Sequence, residues 1–182
     1  MDTEITDEFQ QVLDLLSMAT PPVVFVTGSA GTGKSTLIDV LRSELDKNLV
    51  VVAPTGVAAL NVQGQTIHSL FQLPPGPQPR AKRIAGAAKD VVEKMDVLVI
   101  DEVSMVRADL LDAIDDSLRL NTGRAGVPFG GKTLVLVGDM HQLPPVIAGP
   151  EEKRLFEESY ESPYFFSATT LRELPLVTVT LT

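Results

Sequence analysis

Eight consecutive residues, Gly28-Ser29-Ala30-Gly31-Thr32-Gly33-Lys34-Ser35, fit the pattern G-x-x-x-x-G-K-[ST], and they stand between an apolar run and a segment of helical periodicity. That context is what gives the pattern chemical meaning. Glycines at these positions allow a tight turn whose N–H groups point inward at phosphate oxygens. A helix beginning where the turn ends adds partial positive charge. Lys34 is spaced to reach β- and γ-phosphates and the Ser35 hydroxyl to ligate Mg²⁺, with Thr36 as the last nucleotide-binding residue. The chemistry indicated is the binding of ATP with Mg²⁺. A dinucleotide fingerprint fails on spacing, because Thr36 stands where a third glycine should follow Gly31-Thr32-Gly33. The competing structural reading is a glycine-rich strand-to-helix turn with an accidental lysine.

Two further groups are placed to act on the same phosphates. Val97-Leu98-Val99-Ile100 runs straight into Asp101-Glu102. An apolar strand ending in two carboxylates puts them at the C-terminal edge of a sheet, where open α/β sheets bind ligands. Asp101 suits the Mg²⁺-associated acid, and Glu102 the residue that positions and polarises the attacking water. The alternative is an acid pair capping the helix that follows. Leu134-Val135-Leu136-Val137 ends likewise in Gly138-Asp139-Met140-His141-Gln142-Leu143-Pro144-Pro145-Val146. Gln142 is placed to contact the γ-phosphate; the alternative here is a proline-stiffened loop. Lys34, Asp101, Glu102 and Gln142 are therefore the candidate catalytic residues, and Ser35 and Asp101 the candidate metal ligands. His141 reads as a surface loop residue, since His68 is the only other histidine and no ligand cluster surrounds it.

Positioning these groups takes strands alternating with helices. Thr6 can cap a first helix, with Asp7 and Glu8 in its first turn and Phe9, Val12, Leu13 and Leu16 on its apolar face. Pro21-Pro22 ends it. Leu37, Ile38, Leu41 and Leu45 mark a second helix, and Leu110, Leu111, Ile114 and Leu118 another. Strands are predicted at Val23–Val26, Leu49–Ala53, Asp96–Ile100, Thr133–Val137 and Val177–Leu181, with a loop and short helix over Thr55–Val62. The alternation predicts one α/β domain with a parallel sheet and helices on both faces. Pro74-Pro75-Gly76-Pro77-Gln78-Pro79 bars both ladder bonding and helix interior. Residues 73–90 thus read as a proline-rich insertion, open between a flexible surface loop and a strand-separating wedge.

Composition agrees with a folded domain: 182 residues, 44% hydrophobic and 21% charged, support one sizeable core and exclude a disordered chain. A net charge of -9 argues against tight non-specific nucleic-acid binding by the whole surface, though not against a local groove. Arg80, Lys82, Arg83, Lys89 and Lys94 face only Asp90 and Glu93 in their stretch; a solvated linker and helix and a DNA contact both fit. The absence of cysteine excludes disulfides and thiolate metal sites. Met1–Gln11 is unlike a targeting peptide, and no apolar run reaches membrane-span length. A soluble intracellular protein with no membrane partner follows, cytoplasmic or nucleoid-associated if bacterial.

Four segments together resemble one family: Gly28–Ser35; Ala53-Pro54-Thr55-Gly56-Val57-Ala58-Ala59 with Thr66-Ile67-His68-Ser69-Leu70-Phe71; Asp101-Glu102-Val103-Ser104-Met105; and Gly138–Val146. In order and wording they are similar to the Pif-type (petite integration frequency) DNA helicases of superfamily one. The second and fourth segments carry the specificity, since generic P-loop enzymes lack them. The resemblance implies a three-layer, RecA-like P-loop NTPase with a mostly parallel central sheet. It implies an ATP-driven motor moving 5′ to 3′ on single-stranded DNA, with roles in DNA repair, recombination and telomere or genome maintenance. It also implies that Thr55, Gly56, Asn61, His68, Ser69, Pro144 and Val146 lie along the DNA path, where hydroxyls, an amide and backbone N–H groups hold phosphates without reading bases. On the other side, Thr55-Gly56 fits a plain helix start and His68 a residue packed against the core.

Two departures from the family pattern bear on function. The family usually carries a glutamine near the N-terminus that contacts adenine; Gln10 and Gln11 lie close by, but the best register puts Phe9 there. The family also continues into an arginine-bearing motif and a second RecA-like domain with another arginine, and neither arginine precedes Thr182. Residues 1–182 therefore resemble a single N-terminal motor domain, expected to bind Mg-ATP, to hydrolyse it slowly and not to unwind a duplex. The second RecA-like domain is the implied partner. A nucleotide switch without unwinding, or an AAA-type unit using Arg107, Arg119 or Arg124 as a finger, are the other readings.

Overall fold

The computed structural model describes residues 5–182. Strands β1 (Val23–Thr27), β2 (Leu49–Ala53), β3 (Gln65–Thr66), β4 (Val97–Ile100), β5 (Thr133–Gly138) and β6 (Leu176–Thr180) pair in parallel throughout, in the spatial order β3-β2-β4-β5-β1-β6. The helices are α1 (Asp7–Ser17), α2 (Lys34–Glu44), α3 (Gly56–Asn61), α4 (Ile67–Phe71), α5 (Ala87–Lys94), α6 (Ala108–Thr122) and α7 (Gly149–Ser159). Successive strand residues point to opposite faces, so each central strand feeds two cores. Val24, Val26, Val97, Val99, Val135 and Val137 pack with Phe9, Val12, Leu13 and Leu16 of α1 and Leu37, Ile38 and Leu41 of α2. Leu98, Ile100, Leu134 and Leu136 pack with Leu70 and Phe71 of α4, Val92 of α5, Leu111, Ile114 and Leu118 of α6, and Phe156 of α7. The result is the expected three-layer sandwich with a fully parallel sheet.

Local signals explain most boundaries. The Thr6 hydroxyl accepts from the Phe9 N–H at 3.3 Å, which starts α1 as its sequence predicts. Leu45 is only half-buried, because α2 ends at Glu44 and Leu45 is its C-cap. β3 has no signature in the sequence: two residues carry no period, and only pairing of Val52 with Gln65 and Ala53 with Thr66 makes them a strand.

Residues 73–90 differ from a flexible loop. Leu73, Pro79 and Ile84 are buried. Buried or broken backbone needs hydrogen-bond partners, and the region around α6 supplies them. Arg107 donates to the Gly76 carbonyl at 2.8 Å, and Asp109 accepts from the Gln78 N–H at 2.7 Å. Asn121 donates to the Lys82 carbonyl at 3.0 Å and accepts from the Ile84 N–H at 2.8 Å. Arg80, Lys82, Arg83, Lys89 and Lys94 are all exposed, and Lys89 lies 3.7 Å from Glu93. The stretch presents exposed basic side chains on a segment pinned by Arg107, Asp109 and Asn121.

Candidate nucleotide site and DNA-facing edge

Strand order decides what meets at the C-terminal edge of the sheet. β5 lies between β1 and β4. The phosphate-loop segment after β1, the Gly138–Gln142 loop after β5 and the Asp101-Glu102 pair after β4 are therefore consecutive along one edge. The loop itself is braced by its own lysine: Lys34 Nζ donates to the carbonyls of Gly28 at 2.7 Å and Ser29 at 2.8 Å. Thr32 Oγ1 adds a bond to the Ser29 carbonyl at 2.9 Å. Gly33 caps α2 with φ of 90°, a left-handed conformation that a side chain rarely adopts. Ser29, Ala30, Gly31, Ser35 and Thr36 are exposed, while Gly28 is buried. Phe9 is 4% exposed and packs beneath the loop, its ring 3.4 Å from where a Cβ on Gly33 would sit. Gln10 and Gln11 are exposed, Gln10 donating to Asp14 at 2.8 Å.

The two strand-end carboxylates nearest the loop are tuned in opposite directions. Burial pushes the Asp101 carboxyl up to about 6; the Glu102 N–H and the Lys34 charge oppose the rise, and the Glu102 carboxylate adds to it. Asp139 is also buried. Its carboxyl is held below the usual range, chiefly by the His141 N–H at 2.9 Å against the cost of desolvation, with help from the Gln142 side chain, Lys34 and His141. Lys34 thus acts on both acids. Burial raises one strand-end carboxyl while hydrogen bonding lowers the other.

Glu102 stands in the left-handed region with φ of 50° and leads the 3₁₀ turn Val103–Met105. Neither acid serves as a helix cap by its side chain: Glu102 makes no such bond, and the N-cap of α6 is Arg107. The turn sits directly on β5. A Cβ on Gly138 would lie 3.0 Å from Val103 Cγ1, 3.1 Å from Val103 N and 3.2 Å from Ser104 N, so a side chain here would press the turn away by a few tenths of an ångström. Gln142 is exposed, its amide donating to Asp139 Oδ2 at 3.3 Å. Sequence reasoning assigned no role to Asp139, Gly138 or Ser104. The signal for Asp139 was present, since it ends an apolar strand as Asp101 does.

The residues proposed for a DNA path fall into two groups on the same edge. Thr55, Gly56 and Asn61 follow β2, and His68 and Ser69 follow β3, which pairs with β2. Pro144 and Val146 belong to the loop after β5, separated from β2 by β4. Among the described residues, no hydrogen bond joins one group to the other. Thr55 does start a helix, its hydroxyl accepting from the Ala58 N–H at 3.2 Å. Gly56, Asn61, Ser69, Pro144 and Val146 are exposed. His68 is half-buried, and burial together with the nearby Arg107 charge lowers its pKa. Of the arginines considered for a finger, Arg107 is bound to Asp109 and Glu152 and Arg119 to Asp115 at 2.8 Å; Arg124 is exposed.

Asp101 supplies a pH prediction. Its folded pKa of about 6 lies above the ordinary 3.8. The protonated folded form is favoured, so this contribution to stability is full below pH 3.8 and is lost as pH rises through about 6. At pH 7.5 the buried carboxylate is a cost of about 1–3 kcal/mol. Asp101→Asn is expected to raise the melting temperature at pH 7.5 and to remove the Mg²⁺ dependence of nucleotide binding. In the unaltered protein that dependence should fade as pH drops below about 6, the value to which the carboxyl is raised. Calorimetric titration at pH 5.5 and 7.5 checks it.

A fully parallel α/β/α sandwich with its phosphate loop, acid pair and glutamine loop on one strand edge is a RecA-like P-loop NTPase domain. The PIF1-like helicase family model matches residues 1–179. The chain belongs to the PIF1-like helicase family. It is 42% identical over 148 residues to ATP-dependent DNA helicase PIF1 of Emericella nidulans, covering 73% of this chain and 19% of that protein. To ATP-dependent DNA helicase PIF1 of Homo sapiens it is 40% identical over 141 residues, covering 75% of this chain and 22% of that protein. The crystal structure of the Bacteroides Pif1 helicase in complex with ADP-AlF3 and ssDNA matches with a TM-score of 0.91 and 39% identity, over 100% of this chain and 42% of that one. The chain thus spans about a fifth of the curated relatives' length.

Proposed function

We propose that this chain is the ATP-binding and ATP-hydrolysing motor unit of a DNA helicase that moves on single-stranded DNA. The observation that carries the reading is the edge itself. β5 between β1 and β4 lines up Lys34, Asp139 with Gln142, and Asp101 with Glu102, and Lys34 acts on both aspartates. A relative solved with a nucleotide analogue and ssDNA has the same fold over the whole chain.

The residues divide the work by chemistry. Gly28–Thr36 offers backbone N–H groups and the start of α2 to the phosphates. Lys34 exchanges its bonds to the Gly28 and Ser29 carbonyls for phosphate oxygens. Ser35 and Asp101 are hard oxygen donors suited to Mg²⁺. Among the described residues no cluster of three His, Asp or Glu side chains is arranged to hold a metal. Two protein oxygens completed by phosphates and water suit an ion that keeps several waters. Mg²⁺, when bound, neutralises charge developing on the phosphoryl group. Glu102 orients and polarises the attacking water. Gln142, bonded to Asp139, contacts the γ-phosphate.

Among the described residues, Lys34 is the cation whose charge lowers the Asp101 carboxyl. An arginine at the phosphoryl group contributes about 10³–10⁵ in rate in related chemistry. Hydrolysis by these 182 residues alone is therefore slow, and a second RecA-like domain is the partner that completes the motor. Thr55, Gly56, Asn61, His68, Ser69, Pro144 and Val146 form the DNA-facing edge, with 5′-to-3′ polarity and roles in repair, recombination and telomere maintenance following from the family. Among the described residues no helix is long and apolar enough to cross a membrane.

Lys34→Ala tests the phosphate grip. Loss of a charge-assisted hydrogen bond of about 1.5–3 kcal/mol is expected to weaken Mg-ATP binding by roughly ten- to a hundredfold. Calorimetric titration of the nucleotide into wild-type and variant chains measures it, and unchanged affinity would remove the nucleotide-site assignment.

A further inference from the structure

Among the described residues, one buried side-chain polar atom has no hydrogen-bond partner: Ser104 Oγ, in a residue that is 1% exposed. Such orphans are rare in folded proteins, because the hydroxyl gives up water and receives nothing in return. Its position is specific. Ser104 lies in the turn that follows Asp101-Glu102, and its backbone N is 3.2 Å from where a Cβ on Gly138 would stand. The last β4–β5 pair is Ile100 with Leu136. Beyond that pair the turn replaces β4 as the neighbour of β5. The acid pair and the root of the Gln142 loop therefore touch through Val103, Ser104 and Gly138.

The loop on the far side of this contact is held at its root and exposed at its tip. Gln142 bonds Asp139 through its side-chain amide at 3.3 Å and its backbone N–H at 3.1 Å, while Leu143 and Val146 are 68% and 72% exposed. Segments with few buried contacts and exposed hydrogen bonds are the ones that shift at low cost. A polar atom left unpaired in one arrangement favours any other arrangement that pairs it. A ligand moves that balance only by binding the two arrangements differently.

We propose that Ser104 is a positioning residue whose hydroxyl gains its hydrogen bond from the Gly138–Gln142 loop in the arrangement selected by a γ-phosphate. It thereby adds to the preference for ATP over ADP. The inference rests on the nucleotide site proposed above. It requires no step by Ser104 on the reacting atoms.

The test uses the 182-residue chain as wild type, Ser104→Ala and Ser104→Cys. Thermal melting is recorded without nucleotide, and the affinities for Mg-ADP and for a non-hydrolysable Mg-ATP analogue are measured by calorimetry. Ser104→Ala is expected to melt at or above the wild-type temperature and to keep Mg-ADP affinity. It should bind the ATP analogue about three- to tenfold more weakly, the value of one net hydrogen bond. Ser104→Cys, a similar size with a weak donor, should fall between. A lower melting temperature with unchanged ATP-to-ADP preference would overturn the proposal, since the hydroxyl would then already be bonded. Equal weakening of both nucleotides would overturn it too. A wild type that binds neither nucleotide removes the proposal together with the site it rests on; a wild type that binds both, with no change in the alanine variant, removes the proposal alone.

Discussion

Glu102→Gln is expected to leave Mg-ATP bound with nearly wild-type affinity and to lower single-turnover hydrolysis by about 10²–10⁴-fold, the usual contribution of a positioned general base. Three structural facts set this expectation. Glu102 adjoins Asp101, so it stands beside the candidate metal ligand without itself occupying that role. Its backbone is held at φ of 50° by the turn it begins, with the Met105 N–H donating to the Glu102 carbonyl at 3.0 Å. A left-handed non-glycine residue costs about 1 kcal/mol or more and persists where surrounding structure demands it. Here the demand comes from the seat of the turn on Gly138. The amide is isosteric, so binding should survive while the base is lost. Because the wild-type rate is expected to be slow, the comparison needs protein in excess over labelled ATP and long time courses. If Glu102→Gln hydrolyses ATP at the wild-type rate, Glu102 is not the water-positioning group.

Arg107→Ala is expected to cost about 3–5 kcal/mol of folding stability, the penalty for leaving buried partners of an ion pair uncompensated. Arg107 Nε and Nη2 donate to Asp109 at 3.0 and 3.1 Å, Nη1 donates to Glu152 at 2.5 Å, and the guanidinium lies 5.5 Å above the Phe156 ring. The side chains of Asp109 and Glu152 are only 1% and 7% exposed. Glu152 in turn accepts from the Ala148 N–H, which ties down the end of the loop after β5. The Gly76 bond ties down the insertion. Arg107→Lys should rescue little, because an ammonium cannot reproduce a planar fork with several fixed donors. Urea unfolding gives the stability change, and limited proteolysis between residues 74 and 85 should rise in parallel. A loss below about 1 kcal/mol would place the cluster with ordinary surface pairs.

Much of the fold was legible because the relevant signals are local. Apolar strand runs, the Thr6 cap and the periodicity of Leu110, Leu111, Ile114 and Leu118 need no distant partner to be read. The glycine-rich turn between β1 and α2 and the strand-end position of the Asp101-Glu102 pair were legible for the same reason: each is marked within a few positions. What escaped is what depends on residues far apart in sequence. β3 exists only by pairing with β2. The insertion at residues 73–90 is fixed by Arg107, Asp109 and Asn121, whose side chains reach back across the fold. Proline content correctly barred helix and strand over residues 74–79, but it says nothing about anchoring, and α5 begins at Ala87 within the same stretch. Gly138 looked like one residue in a motif; its close approach to Val103 and Ser104 is visible only once β4 and β5 lie side by side. The opposite tuning of Asp101 and Asp139 likewise depends on burial and on Lys34, which the order of letters does not contain.

The proposed motor function requires that one strand edge couple nucleotide to single-stranded DNA. Fluorescence anisotropy of a labelled oligo(dT), titrated with the 182-residue chain with and without a non-hydrolysable Mg-ATP analogue, measures that coupling directly. Binding is predicted to weaken as salt rises, as phosphate contacts require. Its affinity is predicted to change when the analogue is added, and that change should vanish in Lys34→Ala. No binding at low salt, or binding that is the same with and without the analogue in the wild-type chain, would contradict the account.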